Sequence, residues 1–362
     1  MLIELCEKDW RIIKMLVPVI LFVIGLIALI KGGDWFVDGA TGIAHKFHMP
    51  EILIGATVVS IGTTIPEVMV SSIAALTEGA SSIAYGNAIG SIICNTSLIA
   101  AITLAVRPAP IDRKSIQMPV VFFFVAAIFY VAVAYITGYF SRTVGIVLLA
   151  GFVVYIFLSV KAAMKPQTKA GNILEASSQT SELEKAATDE EGKEADINAA
   201  EAETTNSTLK DIILLVLGAV LIAVGANLLV DNGTIIAEAL GVPQSVIALT
   251  FVALGTSLPE LVTAISALIK GHSDLSLGNV IGANLFNLVL VTGMATTLSP
   301  FHIPVEKTIA GMNGSLVLDI PVMLTVMLIM CVPAIVKQKL YRTQGIVLLI
   351  IYFAFIGSQF IL

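Results

Sequence analysis

Two glutamates lie within long apolar stretches of this 362-residue chain, and each of them directly follows a proline. They are Glu67, in the segment GTTIPE, and Glu260, in the segment GTSLPE. A carboxylate so deep in an apolar segment costs several kcal/mol unless it is paired or hydrated, so each glutamate is a candidate functional residue. No Lys or Arg lies within one helical turn of either glutamate to act as a partner.

The residues just before each glutamate supply oxygen atoms. Proline has no N–H for the carbonyl four residues earlier, and its ring displaces that carbonyl, which predicts kinked helices with freed carbonyls near Gly62 and Gly255. Side-chain hydroxyls add to this set and belong to Thr63, Thr64, Thr256 and Ser257. Hard cations such as Ca²⁺ take about six to eight oxygen ligands, whereas zinc and copper prefer His or Cys, which are absent from both segments.

Both segments belong to an internal repeat. The sequence IGATVVSIGTTIPE at 54–67 matches IALTFVALGTSLPE at 247–260, and YGNAIGSIICN at 85–95 matches LGNVIGANLFN at 277–287. Each copy holds five apolar spans, and after an odd number of crossings the second copy must enter the membrane from the opposite side. Inverted repeats of this kind are typical of secondary transporters that bind their substrate near the midplane.

A second polar cluster follows each glutamate. Asn87, Ser91 and Asn95 are spaced four residues apart and therefore share one helical face. The equivalent face in the second copy carries Asn279, Ala283 and Asn287. Neighbouring glycines predict close helix approach, and they are Gly86, Gly90, Gly278 and Gly282. The alternative is that these amides and glycines serve helix packing alone.

The composition excludes most soluble functions. Hydrophobic residues make up 57% of the chain and charged residues 13%, with a mean hydropathy of +0.95. A soluble domain has about 25% charged residues, so a cytosolic enzyme and a nucleic-acid-binding protein are both poor interpretations. The net charge of −6 arises within residues 166–210, where ten acids outnumber four bases.

The expected fold is an all-α integral membrane protein with ten transmembrane helices in two inverted five-helix repeats. A span needs about 20 apolar residues. The ten candidates are roughly 14–34, 51–77, 81–105, 115–137, 143–163, 211–231, 244–269, 276–298, 314–336 and 343–362. The expected domains are a first repeat at 1–163 with its motif region at 54–98, an acidic linker at 164–210, and a second repeat at 211–362 with its motif region at 247–293.

The distribution of Lys and Arg predicts the orientation in the membrane. One side carries five of these residues and the other fifteen, or nine when those in or beside the long loop are left out. Positively charged loops stay in the cytoplasm, so the 164–210 linker is expected there, with both termini outside.

The paired motifs resemble the two alpha-repeats of the cation/calcium exchanger superfamily, in particular prokaryotic sodium/calcium exchangers. GTTIPE and GTSLPE, each followed by a segment with GN and a later Asn, carry this resemblance, which covers nearly the whole chain. The resemblance implies these ion ligands: Ser60 and Ala253 through backbone carbonyls, and Thr63, Thr64, Glu67, Ser91, Asn95, Thr256, Ser257, Glu260, Ala283 and Asn287. It also implies one Ca²⁺ between the glutamates, Na⁺ sites around it, and sliding of spans 1 and 6 across the other eight.

Two positions depart from the family pattern. Ala283 stands where the family often has serine, which removes a hydroxyl from one Na⁺ site. Asn287 stands where several relatives have aspartate, so two carboxylates remain and the coupling stoichiometry stays open.

The expected function is an antiporter of the cytoplasmic membrane that exchanges Ca²⁺ for Na⁺ by alternating access and extrudes Ca²⁺. Exchange against H⁺, a requirement for K⁺, and a cation channel remain alternatives. An enzyme is not expected, because no pairing of a nucleophile with a base is evident. The expected partners are the transported ions and the lipid bilayer, with no nucleic acid and no resident cofactor.

Overall fold

The computed structural model describes residues 2–47, 49–76, 81–108, 111–163, 195–240, 255–305 and 308–361. The helices in these ranges are α1 (Leu2–Lys46), α2 (Glu51–Leu76), α3 (Ser81–Val106), α4 (Arg113–Ile136), α5 (Arg142–Ala163), α6 (Ala195–Ala239), α7 (Leu258–Lys270), α8 (Ser273–Leu298), α9 (Ser315–Lys337) and α10 (Arg342–Ile361). Within the described residues, all of them except α7 are long and apolar enough to span a membrane. The predicted seventh span also includes residues 244–254, which lie outside the described ranges.

Large apolar side chains cover the outer surface of the bundle. Ile128 on α4, Phe157 on α5 and Phe353 on α10 are each more than half exposed. A surface of this kind is unfavourable in water and favourable in lipid, where long helices satisfy their own backbone hydrogen bonds. The molecule is therefore an all-α integral membrane protein, as the sequence predicts.

The first and sixth helices are longer than the apolar runs from which they are predicted. The hydropathy of the chain predicts these spans at 14–34 and 211–231, whereas α1 and α6 are each 45 residues long. Beyond the predicted end of the first span, Val37, Ala40 and Ala44 are almost fully buried. Those boundaries were wrong because polar residues on the exposed face lower the hydropathy while one apolar face continues to pack.

Part of the predicted linker is helical. Residues 195–210 form the beginning of α6 and continue without a break into its apolar part. The rest of the linker, 164–194, lies outside the described residues.

Helix α8 occupies the centre of the bundle. All of its residues from 275 to 286 are buried, and the helix packs against α2, α3, α4 and α7. Helices α1 and α6 pack mainly against each other, with further contacts from α1 to α2 and α7. The core therefore places the helices that bear both glutamates beside the helices that bear the asparagines.

Contacts between the two halves come in matched pairs. The Ile111 N–H donates to the Gln338 carbonyl at 3.0 Å, and the Ile303 N–H donates to the Gly138 carbonyl at 3.0 Å. The spacing of the two copies makes Ile111 equivalent to Ile303 and Gly138 equivalent to Gln338. A two-fold relation between two similar units produces such matched contacts, because each contact recurs between the equivalent residues with the two units interchanged.

Short strands join the helix ends on the surface. Strand β1 (Tyr139–Phe140) pairs antiparallel with β2 (Phe301–His302), and β3 (Thr308–Ile309) pairs antiparallel with β4 (Met312–Asn313). The first pair links the α4–α5 connection to the segment after α8 and so joins the two halves.

Candidate functional site

Glu67 on α2 and Glu260 on α7 are both 0% exposed. Within the described residues, none of their four carboxylate oxygens has a hydrogen-bond partner. The two carboxylates are also close enough to repel each other. Two neighbouring buried charges of the same sign are costly to hold, so this arrangement favours the binding of a cation between them.

A π-helical turn precedes the first glutamate. It covers Gly55–Val59 and leads into the α-helical part of α2, which continues through Pro66 without interruption. The α-helix is therefore not interrupted at Pro66, where the sequence predicts a kink. The Ser60 hydroxyl lies 2.7 Å from the Gly55 carbonyl oxygen and 2.9 Å from that of Asn279. The Ser60 hydroxyl is therefore committed to hydrogen bonds with the backbone of α2 and of α8.

The second glutamate lies in the first turn of α7. Ser257 precedes this helix with the non-helical angles φ −89° and ψ 2°, and Pro259 lies in the first turn. Proline suits that position because its missing N–H needs no partner there. The two prolines thus act differently, one inside a helix and one at the beginning of a helix. Ala253 lies outside the described residues.

Hydroxyl groups surround the glutamates at equivalent positions of the two repeats. Thr64 and Ser257 are 0% and 2% exposed, and neither hydroxyl has a hydrogen-bond partner within the described residues. The Thr63 hydroxyl lies near the Glu260 carboxylate, so a residue of the first repeat reaches the glutamate of the second. Unpartnered buried hydroxyls beside a carboxylate are suited to coordinate an ion.

Two asparagines connect the halves of the site. The Thr63 hydroxyl donates to Asn279 Oδ1 at 3.2 Å, and the equivalent Thr256 hydroxyl donates to Asn87 Oδ1 at 3.2 Å. Asn87 Nδ2 also donates to the Glu67 backbone carbonyl at 3.2 Å. These asparagines therefore position the threonines, which agrees with the alternative that they join helices. The sequence could not reveal this pairing, because each bond links residues more than 160 positions apart.

Asn95 on α3 and Asn287 on α8 are fully buried amides. Both are 0% exposed, and neither the amide nitrogen nor the amide oxygen of either residue has a partner within the described residues. A π-helical turn begins at each of them, and π turns are frequent at functional sites. One turn earlier on the same faces lie Ser91 and Ala283, which are also buried. The predicted ligand positions of α3 and α8 are thus all in the interior.

The glycines beside these asparagines differ between the two halves. A Cβ added to Gly278 would clash with the Ile52 carbonyl, and one added to Gly282 would clash with the Ser60 hydroxyl. The predicted close approach is therefore confirmed for this pair. A Cβ added to Gly86 or Gly90 would meet no other segment of the described residues within 4 Å, and both glycines line a cavity instead.

That cavity has a volume of about 390 Å³ and leads to the predicted ligands. Asn87, Ser91 and Thr256 line it, together with Asp319 on α9. Asp319 is not among the residues predicted from the sequence, although a carboxylate within the predicted span 314–336 is a signal that could have indicated it.

The donors at the site are all oxygens or amides. Within the described part of the chain, no three residues of the types His, Cys, Asp and Glu lie together, so the negative charge of the site comes from the two glutamates. Hydroxyl, amide and backbone oxygens around two carboxylates form a donor set suited to hard cations such as Na⁺ and Ca²⁺.

Comparison with known proteins agrees with this chemistry. The family model described as sodium/calcium exchanger protein matches residues 17–161 and 210–361. The sodium/calcium exchanger MaX1 of Methanosarcina acetivorans is 31% identical over an alignment of 363 positions, gaps included, which covers 94% of this chain and 98% of that protein. The inner membrane protein YrbG of Escherichia coli is 32% identical over 289 residues, which cover 80% of this chain and 82% of that protein.

Solved structures show the same architecture. A structure of the sodium-calcium exchanger NCX_Mj, soaked without Na⁺ and Ca²⁺, superposes with a TM-score of 0.73 at 30% identity. The match covers 95% of this chain and 99% of that chain. The resemblance drawn from the duplicated motifs is thereby confirmed, and this chain belongs to the sodium/calcium exchanger family.

Proposed function

We propose that this protein is a secondary antiporter that exchanges Ca²⁺ for Na⁺ across the cytoplasmic membrane by alternating access and extrudes Ca²⁺. The observation that carries this proposal is the pair of buried carboxylates, Glu67 and Glu260, which lack hydrogen-bond partners within the described residues. The names of relatives such as MaX1 support the choice of ions.

The charge of the pair explains why exchange is obligatory. Two carboxylates are neutralised equally well by one Ca²⁺ or by two Na⁺. The empty site would carry two negative charges through a low-dielectric interior, which is costly. The empty protein therefore changes conformation poorly, and one ion species must replace the other before the site can face the opposite side.

The proposed ligands come from both repeats. Glu67 and Glu260 bind Ca²⁺ together, and the hydroxyls of Thr64 and Ser257 complete the set with the carbonyls of Ser60 and Ala253. Na⁺ occupies positions around this centre, with oxygens supplied by Thr63, Thr256, Ser91, Asn95 and Asn287. Ala283 has no side-chain oxygen, so the Na⁺ position on its side relies on other groups.

Alternating access is proposed to use the relation between the two halves. The exchanged contacts of Ile111 with Gln338 and of Ile303 with Gly138 support an inverted repeat with a site between its halves. Helices α1 and α6 pack mainly against each other, which supports their movement as one unit. The distribution of Lys and Arg supports termini outside the cell and a cytoplasmic 164–210 linker.

Transport by purified protein in proteoliposomes tests this function. We expect an imposed Na⁺ gradient to drive radioactive Ca²⁺ uptake against its own gradient. The variants Glu67→Gln and Glu260→Gln are each expected to abolish this uptake, because either one removes half of the charge that is proposed to bind Ca²⁺. Glu51→Gln is the matched control, since it makes the same change at the beginning of α2, where Glu51 lies 2.9 Å from His272 Nδ1.

The outcomes distinguish the alternatives. Uptake that responds to a pH or K⁺ gradient but not to a Na⁺ gradient would identify H⁺ or K⁺ as the counter-ion in place of Na⁺. Rapid flux without any counter-ion would indicate a channel. Normal exchange by both glutamine variants, at unchanged amounts of inserted protein, would reject the site.

A further inference from the structure

The 390 Å³ cavity has one charged side chain among the described residues that line it, which is Asp319. This residue ends the π-helical turn Ser315–Asp319 at the beginning of α9. Its side chain is partly exposed, while the next residue, Ile320, is fully buried. The carboxylate therefore stands at the boundary between the cavity and the protein core.

Neighbouring groups hold this carboxylate at the cavity wall. Gln359 Nε2 on α10 donates to Asp319 Oδ1 at 3.4 Å. The buried hydroxyl of Tyr85 on α3 lies close enough to interact electrostatically with Asp319. Gln359 also lines the cavity, and so does Tyr85. The acidic group is thus placed by three helices, α3, α9 and α10.

All three helices bring these residues to one end of the bundle. Tyr85 lies near the beginning of α3, Asp319 near the beginning of α9, and Gln359 near the end of α10. Odd-numbered spans begin on the side where even-numbered spans end, so the three residues belong to the same membrane face. The positive-inside rule predicts that this face is the outer one.

The cavity connects Asp319 with the proposed ion site. Ser91 and Thr256 are proposed ligands, and Asn87 positions Thr256 through a hydrogen bond. All three residues line the same cavity as Asp319. A hydrated cation that enters the cavity therefore meets Asp319 and the ligands without crossing a packed layer of the described residues.

The acidic group has no equivalent in the first repeat. The corresponding fourth span carries no charged residue from Ser115 to Ser141. At the equivalent place of α8, Gly278 and Gly282 are packed directly against Ile52 and Ser60. The two faces of the protein thus differ in charge as well as in packing.

We propose that this cavity is the outer vestibule of the ion path and that Asp319 is a positioning residue that concentrates cations in it. A fixed negative charge in a cleft with apolar walls raises the local concentration of cations and their rate of entry, by about 10- to 1,000-fold in favourable cases. Asp319 does not bind the transported ion at the central site. It acts on capture from one face and leaves turnover unchanged.

This inference rests on the proposed function, so its first test does not use transport. In a variant with Cys6, Cys94 and Cys331 replaced by alanine, Ile83→Cys places a thiol in the cavity wall at the beginning of α3. The probe pair is a cationic and an anionic methanethiosulfonate reagent, applied to the full chain in detergent. We expect the ratio of cationic to anionic rates to fall about three- to tenfold when Asp319→Asn is added.

The matched reporter is Val106→Cys at the other end of α3, about 35 Å away at 1.5 Å per residue. Asp319→Asn is expected to leave its rate ratio unchanged. In the Ile83→Cys reporter itself, about 1 M salt should remove the preference for the cationic reagent, because the Debye length falls to about 3 Å. This measurement needs no Asp319 variant. No charge preference at Ile83→Cys, or equal effects of Asp319→Asn on both reporters, would overturn the proposal.

A transport assay forms the second test. Asp319→Asn is expected to raise the Ca²⁺ concentration for half-maximal uptake from the vestibule side about three- to tenfold at low ionic strength, with an unchanged maximal rate. Asp319→Glu should restore the wild-type value. Asp112→Asn, which keeps a helix-capping side chain at the predicted cytoplasmic end of α4, is the control and should have no effect. A lower maximal rate with an unchanged half-saturation would contradict the proposal, whereas absence of Na⁺-driven uptake in the wild type would contradict only the proposed function.

Discussion

Single residues of the site are ordered by bonds that cross between the repeats. Asn279 accepts from Thr63 and Asn87 accepts from Thr256, both at 3.2 Å. Each of these threonines, both of them proposed ion ligands, is thus oriented by an amide of the other half. The side-chain polar atoms of the glutamates, and those of Asn95 and Asn287, are unpartnered within the described residues. The proposed site therefore combines threonines that are held by hydrogen bonds with groups whose polar atoms are left for an ion.

The reciprocal bonds predict equal coupling energies. Thr63→Val and Asn279→Leu each remove one partner and should lower the melting temperature, while the double variant should be no worse than the more harmful single variant. We expect a coupling free energy of about 0.5–1.5 kcal/mol, because a buried hydroxyl left alone costs more than removal of both groups. Thermal unfolding in detergent measures it, and Thr256→Val with Asn87→Leu should give a similar value.

The control pair combines Asn279→Leu with Thr41→Val. Among the described residues, the Thr41 hydroxyl bonds within α1, to the Val37 carbonyl at 2.9 Å and to that of Asp38 at 3.1 Å. The destabilisation by Thr41→Val should therefore simply add to that by Asn279→Leu. Additive effects of Thr63→Val and Asn279→Leu would show that the bond does not couple the halves.

Helices α1 and α6 make a close contact through small residues. A Cβ on Gly25 would lie 2.9 Å from the Gly225 carbonyl, and a Cβ on Gly218 would lie 2.8 Å from the Gly32 carbonyl. Gly25 is equivalent to Gly218 and Gly32 to Gly225, so this contact is also exchanged between the repeats. Backbones that approach so closely leave no room for a side chain and allow long helices to pack as one unit.

Gly218→Ala is expected to separate these two helices. The new Cβ would lie 2.5 Å from the Phe36 backbone nitrogen, and a backbone atom cannot move aside as a flexible side chain could. We predict a loss of about 1–3 kcal/mol of stability and slower Ca²⁺ exchange, measured by thermal unfolding and proteoliposome transport. Gly357→Ala on α10 is the control, because its Cβ would meet nothing within 4 Å. Equal behaviour of the two variants would contradict the close packing.

For the whole molecule, the proposed coupling of ions depends on the balance of charge at the centre. Two glutamates are the only carboxylates that the described residues bring to the centre, and Asn95 and Asn287 are neutral. One Ca²⁺ or two Na⁺ leave this centre without net charge. A third Na⁺ would leave a positive charge in a medium of low dielectric constant, which is unfavourable.

We therefore predict electroneutral exchange of one Ca²⁺ for two Na⁺. Membrane potentials imposed with K⁺ and valinomycin should leave the rate and the final level of Ca²⁺ uptake unchanged. A third Na⁺ would move one net charge per cycle, worth about 2.3 kcal/mol per 100 mV, and uptake would then follow the potential. Asn287→Asp restores a carboxylate at this position and is expected to make exchange voltage-dependent. Voltage-dependent exchange by the wild type would contradict the two-Na⁺ stoichiometry.

The sequence by itself determined the class of the protein and supplied most of the candidate site residues. Continuous apolar runs predict membrane helices because lipid leaves no other way to satisfy the backbone. The duplicated Pro-Glu segments stand out because a carboxylate is so costly in such a run. These properties are local or repeat along the chain, so they can be read without knowledge of the fold.

The tertiary structure decided how these residues meet. The bond from Thr63 to Asn279, the packing of Gly218 against Phe36, and the place of Asp319 in the cavity wall each depend on contacts between distant segments. The length of α1 depends in the same way on a buried face that hydropathy does not register. Contacts of this kind arise from the packing of two similar halves against each other, and no periodicity within one segment encodes them.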